Sequence, residues 1–319
     1  MWQRFIGFFA ATVLAALTIS AAAIALIDPL AVSPLRIVSD EFLPQTNRRY
    51  LVPAIVRSGR YDGFLVGTST VHSLDPLRVA DRLGGTFANL ALHGATLHEQ
   101  AQVVRLIGRR PTVRSIFWGL DSEWCRSAPA DRYNPATEFP EWLYDENRWN
   151  DVLYSFNLGA LNLVLRKVGR LLRPRAKTIR PDGFQHLLPP DTTFDIAKAQ
   201  KSIYGGAPPR KLLPMQSLPP KATAALDAPF PGVAILDDAL ATIPATTRVI
   251  LVLMPRHASA LPPPGSSEDA VLQTCKAAIA ASAERRGDWV IDTMWHSAWT
   301  VDDYTIGIDF TSETAWRRR

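Results

Sequence analysis

The chain has 319 residues, of which 47% are hydrophobic and 20% charged, so it can bury a sizeable core and is not a disordered chain. Its formal net charge of +5 is modest for this length, and much of the excess is local, which argues against a nucleic-acid-binding protein. The sequence also lacks a GxxxxGK[ST] phosphate-binding loop and an HExxH zinc motif. We therefore expect no cofactor and no metal.

The first predicted element is an uncharged apolar run over residues 5–27. At about 1.5 Å per residue it reaches about 34 Å, enough to cross a hydrocarbon core of about 30 Å. A signal peptide has a shorter apolar region of about 7–15 residues, so a retained anchor is favoured although Ala21–Ala23 resemble a cleavage site. Arg4 precedes the run and Asp28 follows it, which places the following domain outside the cytoplasm by the positive-inside bias.

An anchor over 1–28 is followed by a polar connector over 29–60, in which the apolar patch Tyr50–Val56 predicts a short helix. From residue 61 strand and helix signals alternate, which indicates a mostly parallel sheet sandwiched by helices. The predicted strands are Tyr61–Val66, Thr86–Leu92, Val113–Leu120, Arg248–Met254 and Trp289–Ile291, and the predicted helices are Pro76–Leu83, Thr96–Ile107 and Glu268–Arg285. The α/β domain is expected to cover 61–319.

The alternation stops between about 122 and 245, which predicts a large insertion over the carboxyl edge of the sheet. Its aromatic residues could stack on sugar rings, although packing of the insertion's own core is favoured. They are Trp124, Tyr133, Trp142, Tyr144, Trp149 and Tyr154. Within the insertion, 151–177 has the pattern of a basic amphipathic helix. The pattern is equally typical of a helix that lies on an anionic membrane surface and of an ordinary surface helix that packs on the domain.

The two cysteines, Cys125 and Cys275, form no CxxC or Cys/His pattern, so a zinc site is not expected. Two unpaired buried thiols are the favoured interpretation. A disulfide between them is the alternative if the domain lies in an oxidising compartment.

The segment Gly67-Thr68-Ser69-Thr70 follows the first predicted strand of the domain. A serine placed there lies at the carboxyl edge of the sheet, where its hydroxyl could act as a nucleophile beside backbone N–H groups that stabilise an oxyanion. The simpler interpretation is that Ser69 caps the next helix.

The order of motifs along the chain resembles the SGNH/GDSL hydrolase superfamily, and in particular its membrane-anchored bacterial branch. The resemblance covers roughly 60–121 and 246–310 and implies a flavodoxin-like parallel sheet. The matching segments are Gly67–Thr70 with Asp75-Pro76, Asn89-Leu90 with Gly94 and Glu99, Gly119-Leu120-Asp121, and Pro255-Arg256-His257.

By this resemblance Ser69 is the nucleophile, and the backbone N–H groups of Ser69 and Gly94 are oxyanion donors. Asn89 belongs to the second block, which contributes to the oxyanion and substrate-binding region. The position that usually supplies a third donor as asparagine holds Asp121, which is a poor donor when ionised.

The family ends with a D-x-x-H block, in which the aspartate orients the histidine that deprotonates the serine. In this chain Ile306 occupies the aspartate position and Asp309 the histidine position. A relocated base could come from His72, His257 or His296, or from Asp309 itself, although a carboxylate is a weak base for a serine hydroxyl. His257 is the best placed of these, because it follows the strand Arg248–Met254 and so lies at the same edge as Ser69.

Three interpretations of function remain. The first is a degenerate SGNH-fold protein of the bacterial inner membrane, single-pass with its domain in the periplasm. It would bind a glycan or acyl ligand as an accessory to cell-envelope polysaccharide acetylation or export. The second is an active serine esterase or O-acetyltransferase using Ser69 with a relocated base. The third is an unrelated anchored α/β binding domain in which Ser69 caps a helix. The expected partners are the lipid bilayer and a cell-envelope polysaccharide or acyl donor, with no nucleic acid.

Overall fold

A computed structural model describes residues 2–33, 47–128, 130–173, 179–185, 195–205 and 230–298, with isolated positions between them. In chain order its helices are α1 (Trp2–Ile27), α2 (Arg48–Arg57), α3 (Ser69–His72), α4 (Pro76–Leu83), α5 (Leu97–Gly108), α6 (Arg148–Ser155), α7 (Leu158–Leu172), α8 (Ile196–Tyr204), α9 (Pro231–Leu240) and α10 (Ser267–Arg286). The strands are β1 (Gly63–Val66), β2 (Phe87–Asn89), β3 (Ser115–Leu120), β4 (Arg248–Leu253) and β5 (Trp289–Asp292).

The strands form one parallel sheet in the order β2-β1-β3-β4-β5. This confirms the α/β class, the parallel sheet and the flanking helices that the alternating pattern predicts. Because every strand runs in the same direction, all five carboxyl ends meet at one edge, where ligands bind in open α/β folds.

Each face of the sheet is covered by a different set of helices. In β3 the side chains of Ile116, Trp118 and Leu120 join the larger core, which also contains residues of α2, α5, α9 and α10. Phe117 points to the opposite face and packs with the smaller core that α3 and α4 cover. This division follows from the period of two along a strand, in which successive side chains point to opposite faces.

Within the described residues, α1 is the one helix long and apolar enough to cross a membrane. Most of its side chains are exposed, but Ile24 near its carboxyl end is buried against α7. Its 26 residues extend the predicted run by one turn at the amino end.

The insertion does not lie wholly over the carboxyl edge. Its first part does, because Asn134 donates through Nδ2 to the carbonyl of Gly94 at 2.7 Å. The part containing α6 lies at the opposite end of the sheet. There Arg57, at the end of α2, pairs with Asp151 at 2.7 Å, and Arg109, directly after α5, donates to the carbonyl of Tyr144 at 2.7 Å. Both α2 and α5 run antiparallel to the strands that follow them, so their carboxyl ends lie beside the strand starts.

The favoured expectation of two unpaired thiols is wrong. Cys125, directly after β3, forms a disulfide with Cys275 on α10. The sequence placed the two residues in separate elements without showing that the fold brings those elements together.

Candidate functional site

The turn after β1 is shaped by two glycines beneath Val71. Gly67 has φ +153°, and a Cβ on it would lie 2.4 Å from Cγ2 of Val71. A Cβ on Gly119 would lie 2.3 Å from the same atom. Because a side chain at either position would clash with Val71, α3 can pack against the ends of β1 and β3 only when both residues are glycine. This requirement explains the Gly-x-Ser and Gly-Leu-Asp motifs.

Asp121, at the end of β3, holds this turn from the adjacent strand. Its Oδ2 accepts a hydrogen bond from the Thr68 hydroxyl at 2.5 Å, and its Oδ1 accepts one from the Thr70 hydroxyl at 3.0 Å. The carboxylate acts here as an acceptor for both neighbours of Ser69. The sequence singled out Asp121 as the counterpart of a donor, but it did not anticipate the two threonines.

Ser69 lies between these threonines as the first residue of α3, with Thr68 at the N-cap position. Ser69 is therefore not the helix cap, and Thr68 makes no capping hydrogen bond either. The Ser69 hydroxyl makes no hydrogen bond with any residue in the described part of the chain. Its backbone N–H, at the first helical position, has no intrahelical acceptor.

A pair of histidines lies at the carboxyl end of α3, whose last residue is His72. Nδ1 of His72 and Nε2 of His93 are 2.7 Å apart, and the rings are tilted with centroids at 4.4 Å. His72 is fully buried, and its Nε2 has no hydrogen-bond partner among the described residues. Burial, helped by the charge of Arg48 and by His93, lowers the pKa of His72 to about 2, so the ring is neutral. His93 is exposed and was missed by the sequence analysis, although it directly precedes Gly94 after the second strand.

The chain after β2 continues alongside this turn. Leu92 donates its N–H to the carbonyl of Gly67 at 3.0 Å, which brings Gly94 next to α3. Gly94 has φ +55°, a conformation that glycine adopts without strain. In the described part of the chain its N–H donates no hydrogen bond, so it is free to act as the donor that the resemblance implies.

Asn89 lies beneath α3 rather than at the open carboxyl edge of the sheet. Its side chain is fully buried, and Nδ2 donates to the carbonyls of Val71, His72 and Leu74 at 2.9, 3.3 and 3.0 Å. Oδ1 accepts the N–H of Ala91 at 3.0 Å. Because both ends of the carboxamide are already engaged, Asn89 fixes α3 in place and offers no atom to a ligand.

His257 lies at the same edge, beyond β3. It follows β4, and neighbouring parallel strands are about 4.8 Å apart, so the ends of β1 and β4 are separated by about 10 Å. Nδ1 of His257 is 2.8 Å from the Ser259 hydroxyl, and the Tyr204 ring meets the imidazole edge-on at 5.7 Å. His296 contacts a different segment, since its Nε2 is 3.0 Å from the carbonyl oxygen of Pro262.

Ile306 and Asp309 lie outside the described residues. Among the described residues, no group of three or more His, Cys, Asp or Glu side chains is arranged to hold a metal ion.

No protein-family model matches the chain, and no curated protein or solved structure matches it either.

Proposed function

We propose that this chain is a degenerate SGNH-like protein anchored in the bacterial inner membrane by α1, with its domain in the periplasm. In this proposal the carboxyl edge around Ser69 binds a glycan or acyl ligand with little or no turnover. The protein serves as an accessory to cell-envelope polysaccharide acetylation or export.

The observation that carries the proposal is that no described residue forms a hydrogen bond with the Ser69 hydroxyl. A serine nucleophile needs a base within about 2.6–3.2 Å, and in the described part of the chain no such contact exists. Of the candidate bases, His72 is buried and neutral, and Nδ1 of His257 is beside Ser259. At the family's own base position the sequence has Asp309, with Ile306 in place of the orienting aspartate.

The groups around Ser69 suit a polyhydroxylated or acylated ligand. Two threonine hydroxyls and the carboxylate of Asp121 form a compact hydrogen-bonding patch, and the exposed imidazole of His93 contacts His72 at the other end of α3. Hydroxyl and carboxylate oxygens accept hydrogen bonds from sugar hydroxyls, while the N–H groups of Ser69 and Gly94 can receive an acyl carbonyl. A glycan array probed with the detergent-solubilised full chain tests this ligand class, with Asp121→Ala as the variant expected to lose binding.

The proposed location is supported by the disulfide as well as by α1. Disulfides persist in the periplasm and are rare in the cytoplasm. A C-terminal alkaline-phosphatase fusion should be active and a cytoplasmic reporter fusion silent. The reverse pattern would exclude a periplasmic domain.

The lack of turnover is tested by labelling the full chain with a fluorophosphonate probe and by assaying p-nitrophenyl acetate. We expect no labelling and at most weak hydrolysis, with Ser69→Ala as the control. The double variant Ile306→Asp with Asp309→His should raise hydrolysis, because it restores the family's orienter and base. A repaired variant that stays inert would show that the rest of the site is also degenerate, with Asp121 the first suspect.

The second candidate is an active serine esterase or O-acetyltransferase with a relocated base. The observation in its favour is the His72–His93 pair, which is attached to the same short helix as Ser69. Strong fluorophosphonate labelling that disappears in Ser69→Ala would favour this candidate. The variants His93→Ala and His257→Ala would then show which histidine is the base.

A further inference from the structure

Exposed large apolar side chains outside α1 are concentrated on α6, α7 and the turn between them. In the described residues this cluster has eight members, whereas four such residues lie elsewhere in the α/β domain. The eight are Trp149, Leu153, Tyr154, Phe156, Leu158, Leu165, Leu171 and Leu172. A concentration of exposed apolar side chains of this kind marks an interaction site, because a monomeric soluble protein rarely leaves a large apolar surface open to water.

Two opposite faces of α7 have different surroundings. One face is buried against the protein and contains Ala160, Leu163, Val164 and Lys167. The opposite face carries leucines at intervals of seven residues, about two helical turns, so they form a single stripe. These leucines are Leu158, Leu165 and Leu172, and they are 85%, 67% and 77% exposed.

The position of α7 is fixed at the carboxyl end of α1. Ile24 of α1 packs with Ala160 and Val164, and the buried Lys167 ammonium donates to the carbonyls of Ile27 and Asp28 at 2.9 and 3.2 Å. These are carbonyls at the end of α1, where a helix lacks its own donors. The exposed stripe of α7 therefore lies at the level where α1 leaves its apolar stretch.

The residues beside the stripe have the chemistry of a membrane interface. Arg166 on α7 and Arg173 directly after it are exposed and flank the leucines. On α6, Trp149 is 82% exposed and Tyr154 58% exposed. Tryptophan and tyrosine are enriched at the headgroup level of bilayers, and basic side chains are attracted to anionic headgroups.

We propose that α6 and α7 form an interfacial element embedded in the phospholipid bilayer that α1 crosses, with the leucine stripe among the upper acyl chains. The inference rests on the proposed membrane anchor and goes beyond it, since a tethered domain need not touch the bilayer. Such helices lie about 5–10 Å into the boundary between headgroups and acyl chains.

This placement also orients the site. The Arg57–Asp151 ion pair joins α6 to the strand-start end of the domain, whereas Ser69 lies at the carboxyl edge. With α6 and α7 in the bilayer, the carboxyl edge that contains Ser69 faces away from the membrane.

The test uses the full chain in vesicles of phosphatidylethanolamine and phosphatidylglycerol. Single cysteines introduced by Leu165→Cys, Leu14→Cys and Leu77→Cys carry a nitroxide label, and both native cysteines are already bonded to each other. Leu14 lies on α1, and Leu77 is 60% exposed on α4, near the carboxyl edge. Collision rates of each label with oxygen and with a water-soluble nickel chelate report its depth in the bilayer.

We expect the oxygen-to-nickel ratio at Leu165 to be several-fold higher than at Leu77 and close to that at Leu14. A ratio at Leu165 equal to that at Leu77, with Leu14 in lipid, would overturn the interfacial element and leave the anchor intact. A label at Leu165 that neither reagent reaches would overturn it too, because protein would then cover the stripe. If Leu14 itself reports water, the anchor is wrong.

Discussion

Replacing Glu99 by glutamine should destabilise the domain strongly and loosen the chain beside Ser69. The carboxylate is fully buried and receives Nε and Nη2 of Arg49 at 3.1 and 2.6 Å. It also accepts the backbone N–H groups of Thr96 and Asn134, both at 3.1 Å. The same Arg49 donates to the carbonyl of His93, so the ion pair supports the segment that carries Gly94.

Glutamine keeps the shape of Glu99 but loses the charge and replaces one acceptor with a donor. Breaking a buried ion pair by changing one partner costs about 3–5 kcal/mol, because the other charge stays buried without compensation. At roughly 2–4 °C per kcal/mol for a domain of this size, the apparent melting temperature should fall by about 6–20 °C.

Circular dichroism of the detergent-solubilised chain measures this change. The matched control is Glu123→Gln, which breaks the exposed pair of Glu123 with Arg126 and should leave the melting temperature nearly unchanged, because solvent screens exposed pairs. Equal effects of the two variants would refute the assignment of Arg49 and Glu99 as a structural support of the site.

Three further perturbations test other parts of the fold. Cys275→Ser should lower the free energy of unfolding by about 2–5 kcal/mol, and adding reductant to the wild type should reproduce the shift in a thermal melt. Gly67→Ala should destabilise by more than about 1 kcal/mol, whereas Gly169→Ala, where a Cβ meets nothing within 4 Å, should stabilise by about 0.5–1 kcal/mol in the same denaturation assay. Burial lowers the pKa of His72 from 6.5 to about 2, so below about pH 6.5 the unfolded chain binds one more proton than the folded chain. The free energy of unfolding therefore decreases by about 1.4 kcal/mol for each unit by which the pH is lowered below about 6.5. His72→Asn should flatten the fall in stability between about pH 6 and pH 4, and an unchanged slope in denaturant titrations would contradict the buried neutral histidine.

Much of the sheet could be predicted because strand signals are local. The predicted Arg248–Met254 and Val113–Leu120 contain β4 and β3 within two residues, and the helix Pro76–Leu83 has the predicted bounds. An apolar run between turn residues is sufficient for such elements. The single amphipathic helix predicted over 151–177 is instead two helices, because Asn157 caps a new one.

The features that the sequence missed depend on contacts between distant segments. Nothing local to Asp121 shows that its oxygens receive the hydroxyls of Thr68 and Thr70, because this requires β1 and β3 to be neighbours. The burial of Asn89 likewise depends on how α3 packs over the end of β2. The sequence could place these residues at one edge, but it could not show which of them remain open to a ligand.

The bond between Cys125 and Cys275 turns the whole insertion into a covalent ring that leaves the sheet after β3 and returns through β4 to α10. If the part of the chain after α1 is exported in sequence order, Cys125 emerges well before its partner, and β3 stays unpaired on one side until β4 follows. In that case the disulfide can form only after nearly all of the domain has been exported. A protease that later cuts inside the ring would leave the two fragments joined, and they would separate on a gel only after reduction.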